Sequence, residues 1–320
     1  MHANVGNFWN RNIMYKQLGY DYFYDKDDYE IDETIGFGLS DRSFVIQSVQ
    51  KLKELKETKG KFYATMITLS NHTPFEDVDK YGEYDVSMTV DGVKYDYMEN
   101  TKLGNYFKSV HYADQQIGLL IEELEKEDML DDTVIIIYGD HDARISKSEW
   151  NRFYNYNYET DSIRSTDDEK YIDIDYYFYE INRKVPFIIW SNDEKFKTNL
   201  SQEITTVGGM IDVGPTIMNL LGIYNKYSLG NDLLNEQDNI VVFPNGNFVT
   251  DIVYYNETKN EYKMLKDVPI GEKYIENCKN YAKEVLDVSN DIIVYNYFEK
   301  ELSEERFEKE WKLKKELKDY

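Results

Sequence analysis

An adjacent acid and histidine, Asp140 and His141, follow an apolar run at residues 134–138, with only Gly139 between. A carboxylate oxygen and an imidazole nitrogen together suit a divalent ion such as manganese or zinc, whereas magnesium and calcium cages usually consist of oxygens alone. The alternative is structural, because an Asp at a strand end commonly caps the next helix, with the His packed beside it. The pair therefore indicates a candidate metal site and leaves the capping explanation open.

The elements around this pair predict a βαβ unit. The β-branched run at residues 134–138 is typical of a buried strand in a parallel sheet, and ligands in open α/β sheets bind beyond the carboxyl ends of such strands. A second strand is predicted at residues 62–69, which places His72 in a loop at a strand end too. The helical period of residues 105–126 predicts the helix between the two strands.

Further elements are predicted by local signals along the chain. Residues 146–184 are rich in Tyr, Asp and Asn without a clear period, which predicts a long surface loop. The remaining predictions are a helix at residues 41–59 capped by Ser40, a strand at 185–190, a helix at 210–222, strands and turns at 240–264, and a charged amphipathic helix at 289–320.

Composition restricts the class of partner. The formal net charge of -24 argues against nucleic acid or an anionic membrane surface as a general partner, because the field would repel both. Four His and one Cys exclude a zinc finger or ribbon, and Cys278 has no partner in the chain for a disulfide. The sequence shows neither a signal peptide nor an apolar run of the roughly 20 residues that a membrane span needs.

Five segments follow one another in a characteristic order. They are Phe-Trp-Asn-Arg at 8–11, Ile-Thr-Leu-Ser-Asn-His at 67–72, Tyr-Gly-Asp-His at 138–141, Val-Pro-Phe-Ile-Ile at 185–189 and Asp-Val-Gly-Pro-Thr at 212–216, with Leu-Leu-Gly at 220–222. In this order they resemble the lipoteichoic acid synthases, which are phosphoglycerol transferases of the sulfatase and alkaline phosphatase superfamily. The resemblance covers most of residues 2–251 and extends through residues 243–250.

The resemblance implies transfer of a phosphoglycerol unit from an anionic glycerophospholipid to a glycerol-phosphate polymer of the cell envelope. It implies one divalent metal, manganese with magnesium or zinc as alternatives, bound by Asp140 and His141. Arg11 matches a substrate-binding arginine, Trp9 the aromatic beside the glycerol, and His72 the catalytic histidine that contacts the phosphoglycerol group. By residue type alone, Arg11 would be a surface ion-pair partner, Trp9 a core aromatic and His72 a turn histidine.

In the family, the nucleophilic threonine and another carboxylate ligand lie upstream of the Phe-Trp-Asn-Arg segment, so the resemblance implies that neither is in this chain. Thr65 and Thr68 are not substitutes, because both fall inside the predicted strand. We therefore expect the C-terminal part of an exported, membrane-anchored enzyme, or a truncated gene product, with a missing N-terminal segment as a partner. The implied location is the outer face of the cytoplasmic membrane, or outside the cell, in a Gram-positive type of bacterium.

Two alternatives to transfer stay open. The same site would support a sulfatase or phosphodiesterase that hydrolyses its substrate, or a catalytically dead fragment that binds glycerol phosphate. The loop after His141 departs from many relatives. Asp142 is either a solvated acid or a partner that orients His141, and Arg144 either a second phosphate donor or an ion-pair partner.

The expected architecture is α/β, an alkaline-phosphatase/sulfatase-like, mostly parallel sheet flanked by helices with its N-terminal strands missing. A small C-terminal sheet with a helix completes it. Residues 1–235 are assigned to a partial catalytic domain and residues 236–320 to a C-terminal subdomain. An incomplete sheet would expose an apolar edge, which predicts poor solubility or self-association unless a partner segment covers it.

Overall fold

The computed structural model describes residues 1–298 and divides into two compact units. The first unit is Met1–Ser201 and the second begins at Gln202. Within residues 1–298, no helix combines the length and apolar content that crossing a membrane requires.

The helices of the first unit begin at the residues that the sequence signals. Ser40 accepts a hydrogen bond from Ser43 N (3.1 Å) and Thr101 accepts one from Gly104 N (3.0 Å), so both long helices have an N-cap. The helices predicted at residues 41–59 and 105–126 are thus confirmed. The α-helices of this unit are Arg11–Gln17 (α1), Asp41–Lys59 (α2), Lys102–Lys126 (α3), Lys147–Asn155 (α4), Tyr176–Ile181 (α5) and Glu194–Leu200 (α6).

The strands of the first unit pair in twos. The predicted strands at residues 134–138 and 185–190 are confirmed, and they pair with each other, Val134 opposite Ser191 and Tyr138 opposite Phe187. Ile135 packs in a core with Val45 and Val49 of α2 and Leu124 of α3. The strands are Thr34–Ile35 (β1), Gly38–Leu39 (β2), Met88–Val90 (β3), Val93–Tyr95 (β4), Val134–Tyr138 (β5), Tyr156–Asn157 (β6), Ser162–Ile163 (β7) and Phe187–Ser191 (β8).

The expected parallel pairing is wrong for β5, because β5 and β8 are antiparallel. An apolar run reports burial of a strand and not the direction of its neighbour. Residues 62–69 also form no strand. Their backbone pairing is confined to Met1, whose N-terminal amine donates to Thr65 O (2.8 Å) and whose carbonyl accepts from Ile67 N (3.0 Å), and two bonds make too short a ladder.

The expectation of a long surface loop at residues 146–184 is wrong. The segment contains α4 and α5, and Trp150 and Ile174 are buried in a core with Phe75 and Leu103. Tyrosines obscure helical periodicity because each presents an apolar ring and a polar tip, so this packing leaves only a weak signal in the sequence.

The second unit contains the small sheet with a helix that the sequence predicts. Its elements are Met210–Leu220 (α7), Ile240–Val242 (β9), Phe248–Thr250 (β10), Val253–Asn256 (β11), Glu261–Met264 (β12) and Tyr274–Val294 (α8). The four antiparallel strands are arranged in the order β12-β11-β10-β9, and Phe248 and Tyr255 pack against Ala282 of α8. The helix expected at residues 289–320 overlaps the end of α8, and its part beyond residue 298 lies outside the described residues.

Candidate active site

Gly139 allows β5 to deliver Asp140 and His141 to the end of the strand pair. Its backbone N–H donates to Pro186 O (3.2 Å), which continues the pairing past Tyr138. A Cβ at this position would lie 2.8 Å from the Cβ of Val185, a distance that real Cβ atoms essentially never show. A glycine is therefore required for the close approach that positions the two candidate ligands.

His141 is oriented as a metal ligand would be. Its Nδ1 lies 2.8 Å from Asp142 O, and because a carbonyl can only accept, Nδ1 is the donor and Nε2 keeps its lone pair. Nε2 is 3.8 Å from Asp140 Oδ1. Two ligands at about 2.1 Å from one ion lie about 3 to 4 Å apart, so the pair fits a divalent metal with nitrogen and oxygen ligands.

The ligand set within the described chain is partial. No group of three or more His, Cys, Asp or Glu side chains that could hold a metal occurs in residues 1–298. Asp140 is not the cap of the next helix either, because α4 is capped by Ser146, which accepts from Glu149 N (3.3 Å). The capping explanation for Asp140 is therefore not supported by the structure.

Asp142 is held in place rather than free in solvent. Its carboxylate accepts from Arg183 Nη2 (3.1 Å) and from Arg144 N (3.0 Å). Burial raises the pKa of Asp142, but these two hydrogen bonds outweigh burial and leave the pKa below its usual range. Since its carbonyl also accepts from His141, the geometry favours the orienting role for this acid.

His72 lies beside His141. Their rings are 5.6 Å apart at 88°, an edge-to-face arrangement. His72 Nδ1 donates to Thr73 O (2.7 Å), which leaves Nε2 as the acceptor. The predicted strand-end loop therefore brings His72 to the same place as the candidate metal pair, although residues 62–69 are not a strand.

The loop that presents His72 is anchored by a buried carboxylate. Asp41 Oδ1 accepts from Leu69 N (2.8 Å) and Ser70 N (3.0 Å), and burial raises the pKa of Asp41 despite these bonds. On the other side of the loop, Ser109 of α3 donates to Asn71 Oδ1 (2.7 Å). The helices α2 and α3 thus fix the path of the chain on either side of His72.

Arg11 is joined to a histidine that the sequence analysis missed. Arg11 Nη1 donates to His2 Nε2 (2.8 Å), and His2 Nδ1 donates to Ile67 O (3.1 Å). Burial lowers the pKa of His2, as does the charge of Arg11, while the bond to Ile67 and the charge of Asp140 raise it. The charges of Arg11 and of the candidate metal ligand Asp140 therefore act on the pKa of His2 in opposite directions.

Trp9 is not a core aromatic. Its side chain is 73% exposed, its backbone lies in the left-handed region at φ 55°, and its ring centroid is 5.1 Å from the guanidinium carbon of Arg11. An exposed indole beside an arginine can offer its face to a bound molecule. By contrast, Thr65 is not at the metal pair, since its hydroxyl bonds to Tyr20 (2.7 Å).

A cavity of about 600 Å³ lies elsewhere, at the opposite end of the β5–β8 pair. It is lined by Val134 and Ser191, which pair at that end, and by acidic residues of the preceding turn. Because the candidate site residues converge beyond Tyr138, this cavity is not part of the site.

The chain is similar to known proteins over most of its length. The sulfatase family model matches residues 1–223. The chain is 32% identical over 303 residues to lipoteichoic acid synthase 1 of Bacillus subtilis (strain 168), covering 92% of this chain and 42% of that protein. It is also 32% identical over 305 residues to the lipoteichoic acid synthase of Staphylococcus saprophyticus, with the same two coverages. The chain thus spans less than half the length of these curated relatives.

Solved structures share the fold. The lipoteichoic acid synthase LtaP from Listeria monocytogenes matches with a TM-score of 0.67 and 28% identity, over 91% of this chain and 68% of that chain. A protein of the alkaline phosphatase superfamily from Vibrio parahaemolyticus matches with a TM-score of 0.57 and 19% identity, over 91% and 64%, which concerns the fold alone. With the family model covering residues 1–223, the chain has the α/β fold of the alkaline phosphatase superfamily and belongs to the sulfatase family.

Proposed function

We propose that this chain provides the phosphoglycerol-binding residues and two metal ligands of a lipoteichoic acid synthase type of site. The reaction would transfer phosphoglycerol from an anionic glycerophospholipid to a glycerol-phosphate polymer. The observation that supports the proposal is that His72 lies edge to face with His141 (5.6 Å), whose Nε2 is 3.8 Å from Asp140 Oδ1. Arg11 is oriented by His2, which also bonds to Ile67 O in the segment that leads to His72. The relatives named lipoteichoic acid synthase support the same chemistry.

Arg11, oriented by His2, is suited to hold a phosphate. Arginine has five N–H donors, and only Nη1 is directed to His2 Nε2, so the hydrogen bond orients the guanidinium while other donors remain for phosphate oxygens. Because a guanidinium can only donate, His2 Nε2 is the acceptor in this bond, and burial lowers the pKa of His2 in the same direction. The exposed Trp9 beside the guanidinium would pack against the glycerol carbons.

Asp140 and His141 would hold one divalent metal, manganese by resemblance, through Oδ1 and Nε2. When bound, such a metal lowers the pKa of a hydroxyl nucleophile and screens the negative charge at phosphorus. His72, edge to face with His141, is placed to contact the transferred group. A segment outside the chain that supplies a threonine nucleophile and a further acid is part of the proposal, as is a location at the outer face of the membrane.

A second candidate function is binding without turnover by the chain alone. The candidate metal site consists of two ligands, Asp140 and His141. In the part of the chain that the structure describes, no group of three or more His, Cys, Asp or Glu side chains could hold a metal. Two ligands hold a metal weakly, whereas the Arg11 guanidinium, oriented by His2, can bind an anion without further residues. A hydrolase would use the same residues, with water in place of the polymer hydroxyl.

Thermal shift with manganese, with and without glycerol phosphate, tests the proposal. We expect manganese to raise the melting temperature of the wild type and not that of His141→Ala. Glycerol phosphate should raise the melting temperature of both of these proteins, but not that of Arg11→Ala. Glycerol phosphate binding without a manganese effect would favour the binding function. No effect of either ligand on the wild type would contradict both functions.

Product analysis separates the enzymatic alternatives. The chain is incubated with phosphatidylglycerol and manganese, and the products are separated. Glycerol-phosphate oligomers indicate transfer, free glycerol phosphate indicates hydrolysis, and unchanged lipid indicates binding alone.

A further inference from the structure

Arg183 connects a distant part of the chain to the loop after His141. It follows α5, and its Nη2 donates to Asp142 Oδ1 (3.1 Å), 41 positions earlier in the sequence. Its Nη1 donates to both carboxylate oxygens of Glu180 (3.1 and 3.2 Å). The side chain of Asp142 is 15% exposed and that of Arg183 is 42% exposed, so the carboxylate end of this ion pair is the part that is shielded from water.

The other oxygen of Asp142 closes a tight turn. Asp142 Oδ2 accepts from Arg144 N (3.0 Å), and Arg144 is in the left-handed region at φ 53°. A residue other than glycine adopts this conformation at a cost, so surrounding contacts must hold it. With Arg183 on one carboxylate oxygen and Arg144 N on the other, the side chain of Asp142 is fixed at both ends.

The carbonyl of Asp142 is the group that orients His141. It accepts from His141 Nδ1 (2.8 Å), which sets the tautomer and directs Nε2 toward Asp140. A change in the backbone of Asp142 would therefore rotate the imidazole. Such indirect contacts typically change metal affinity by about 10- to 100-fold when they are removed.

We infer that Arg183 is a positioning residue: by clamping the Asp142 carboxylate it fixes the carbonyl that holds the His141 ring in its metal-binding orientation. The metal in this inference rests on the proposed function. The orientation of the His141 ring rests only on its hydrogen bond to Asp142 O. It gives the segment after α4 a role in the site that its sequence does not suggest.

The first experiment measures manganese affinity of the full chain by the loss of the free-ion signal in electron paramagnetic resonance. We expect Arg183→Ala to weaken binding about 10-fold or more, Arg183→Lys to recover part of the loss, and His141→Ala to abolish binding at the site. The matched control is Arg164→Ala, which removes the Arg164–Asp168 ion pair (3.1 Å) from the same segment. This control should bind manganese as the wild type does, and an equal loss there would contradict the role of Arg183.

The second experiment needs no metal. The ¹⁵N shifts of the His141 ring, at a pH where the ring is neutral, report which nitrogen is protonated. We expect Nδ1–H in the wild type and in Arg164→Ala, and a mixture of tautomers in Arg183→Ala. If Arg183→Ala keeps the wild-type affinity and tautomer, the inference is wrong. If His141→Ala binds manganese as the wild type does, the proposed metal site is wrong, and the tautomer still decides the role of Arg183.

Discussion

Three histidines of the candidate site make the same type of hydrogen bond to the backbone. In His2, His72 and His141, Nδ1 donates to a backbone carbonyl, at 3.1, 2.7 and 2.8 Å. Each ring is thereby held as the tautomer whose Nε2 is an acceptor or a ligand. The chain has four histidines, so most of its imidazoles are prepared for binding by the backbone around them.

At Arg11 the prediction concerns phosphate affinity. We expect Arg11→Ala to weaken glycerol phosphate binding about 10- to 100-fold, because hydrogen bonds to charged groups contribute about 1.5 to 3 kcal/mol. Arg11→Lys should recover part of the affinity, since lysine supplies charge without the planar fork. Isothermal titration calorimetry measures both. The matched control is Arg42→Ala, whose guanidinium is in an exposed pair with Glu33 at 3.9 Å, and an equal loss there would contradict the role of Arg11.

At Asp41 the prediction concerns pH. Burial raises the pKa of Asp41 above 3.8, so wild-type stability declines as pH rises from 3.8 through the folded-state pKa. Asp41→Asn keeps Oδ1 as an acceptor for Leu69 N and Ser70 N but does not ionise. We therefore expect the Asn variant to gain stability relative to the wild type as pH rises.

The control for this site is Asp41→Ala, which leaves two buried N–H groups without an acceptor. It should lose about 2 kcal/mol or more at every pH. Urea unfolding at several pH values measures all three proteins. A constant difference between the wild type and the Asn variant across pH would show that folding does not shift the pKa of Asp41.

At the scale of elements, local signals were sufficient where one residue determines a boundary. The hydroxyl of Ser40 begins α2, and the β-branched run of β5 extends without polar interruption, so both were predicted. The direction of the β5–β8 pair was not, because it depends on the partner. The packing of α4 and α5 depends on contacts of Trp150 with distant residues, which no local period records.

The residues of the candidate site also divide into those that local sequence signals indicate and those that they do not. Asp140 and His141 could be found from their place after a strand, whereas Arg11, Trp9 and His72 needed the family resemblance. His2 was missed because its burial depends on the contact of Met1 with Thr65 and Ile67, a pairing across more than 60 positions. The rarity of histidine in the chain was the one signal that could have indicated it.

The close approach of β5 and β8 at Gly139 gives the prediction for this scale. Gly139→Ala places a Cβ 2.8 Å from Val185 Cβ, and we expect a loss of about 1 to 3 kcal/mol from the clash. Val185→Gly removes the atoms in conflict. In a double-mutant cycle measured by chemical unfolding, the two changes should therefore cost less together than their sum. Strict additivity would mean that the glycine is not required by Val185.

At the scale of the whole molecule, two forces oppose each other in solution. Sixty-one acidic against 37 basic residues make copies of the chain repel one another. Against this, the first unit exposes large apolar side chains around α1, among them Ile13 at 59% and Leu18 at 65%. Burying such groups between copies is favourable, and salt screens the repulsion without weakening the apolar attraction.

We therefore expect the chain to self-associate more as salt rises from about 0.05 to about 0.5 M, because the Debye length falls well below the distance between neighbouring charges on two copies. Ile13→Gln with Leu18→Gln should reduce this association while leaving the net charge at -24, so a change cannot be attributed to repulsion. The matched control is Ile293→Gln with Val294→Gln, which removes two apolar side chains from α8 that are more exposed, at 75% and 72%. Sedimentation velocity measures the mass distribution of all three proteins. If the α8 pair lowers association and the α1 pair does not, the apolar surface around α1 is not the attractive one.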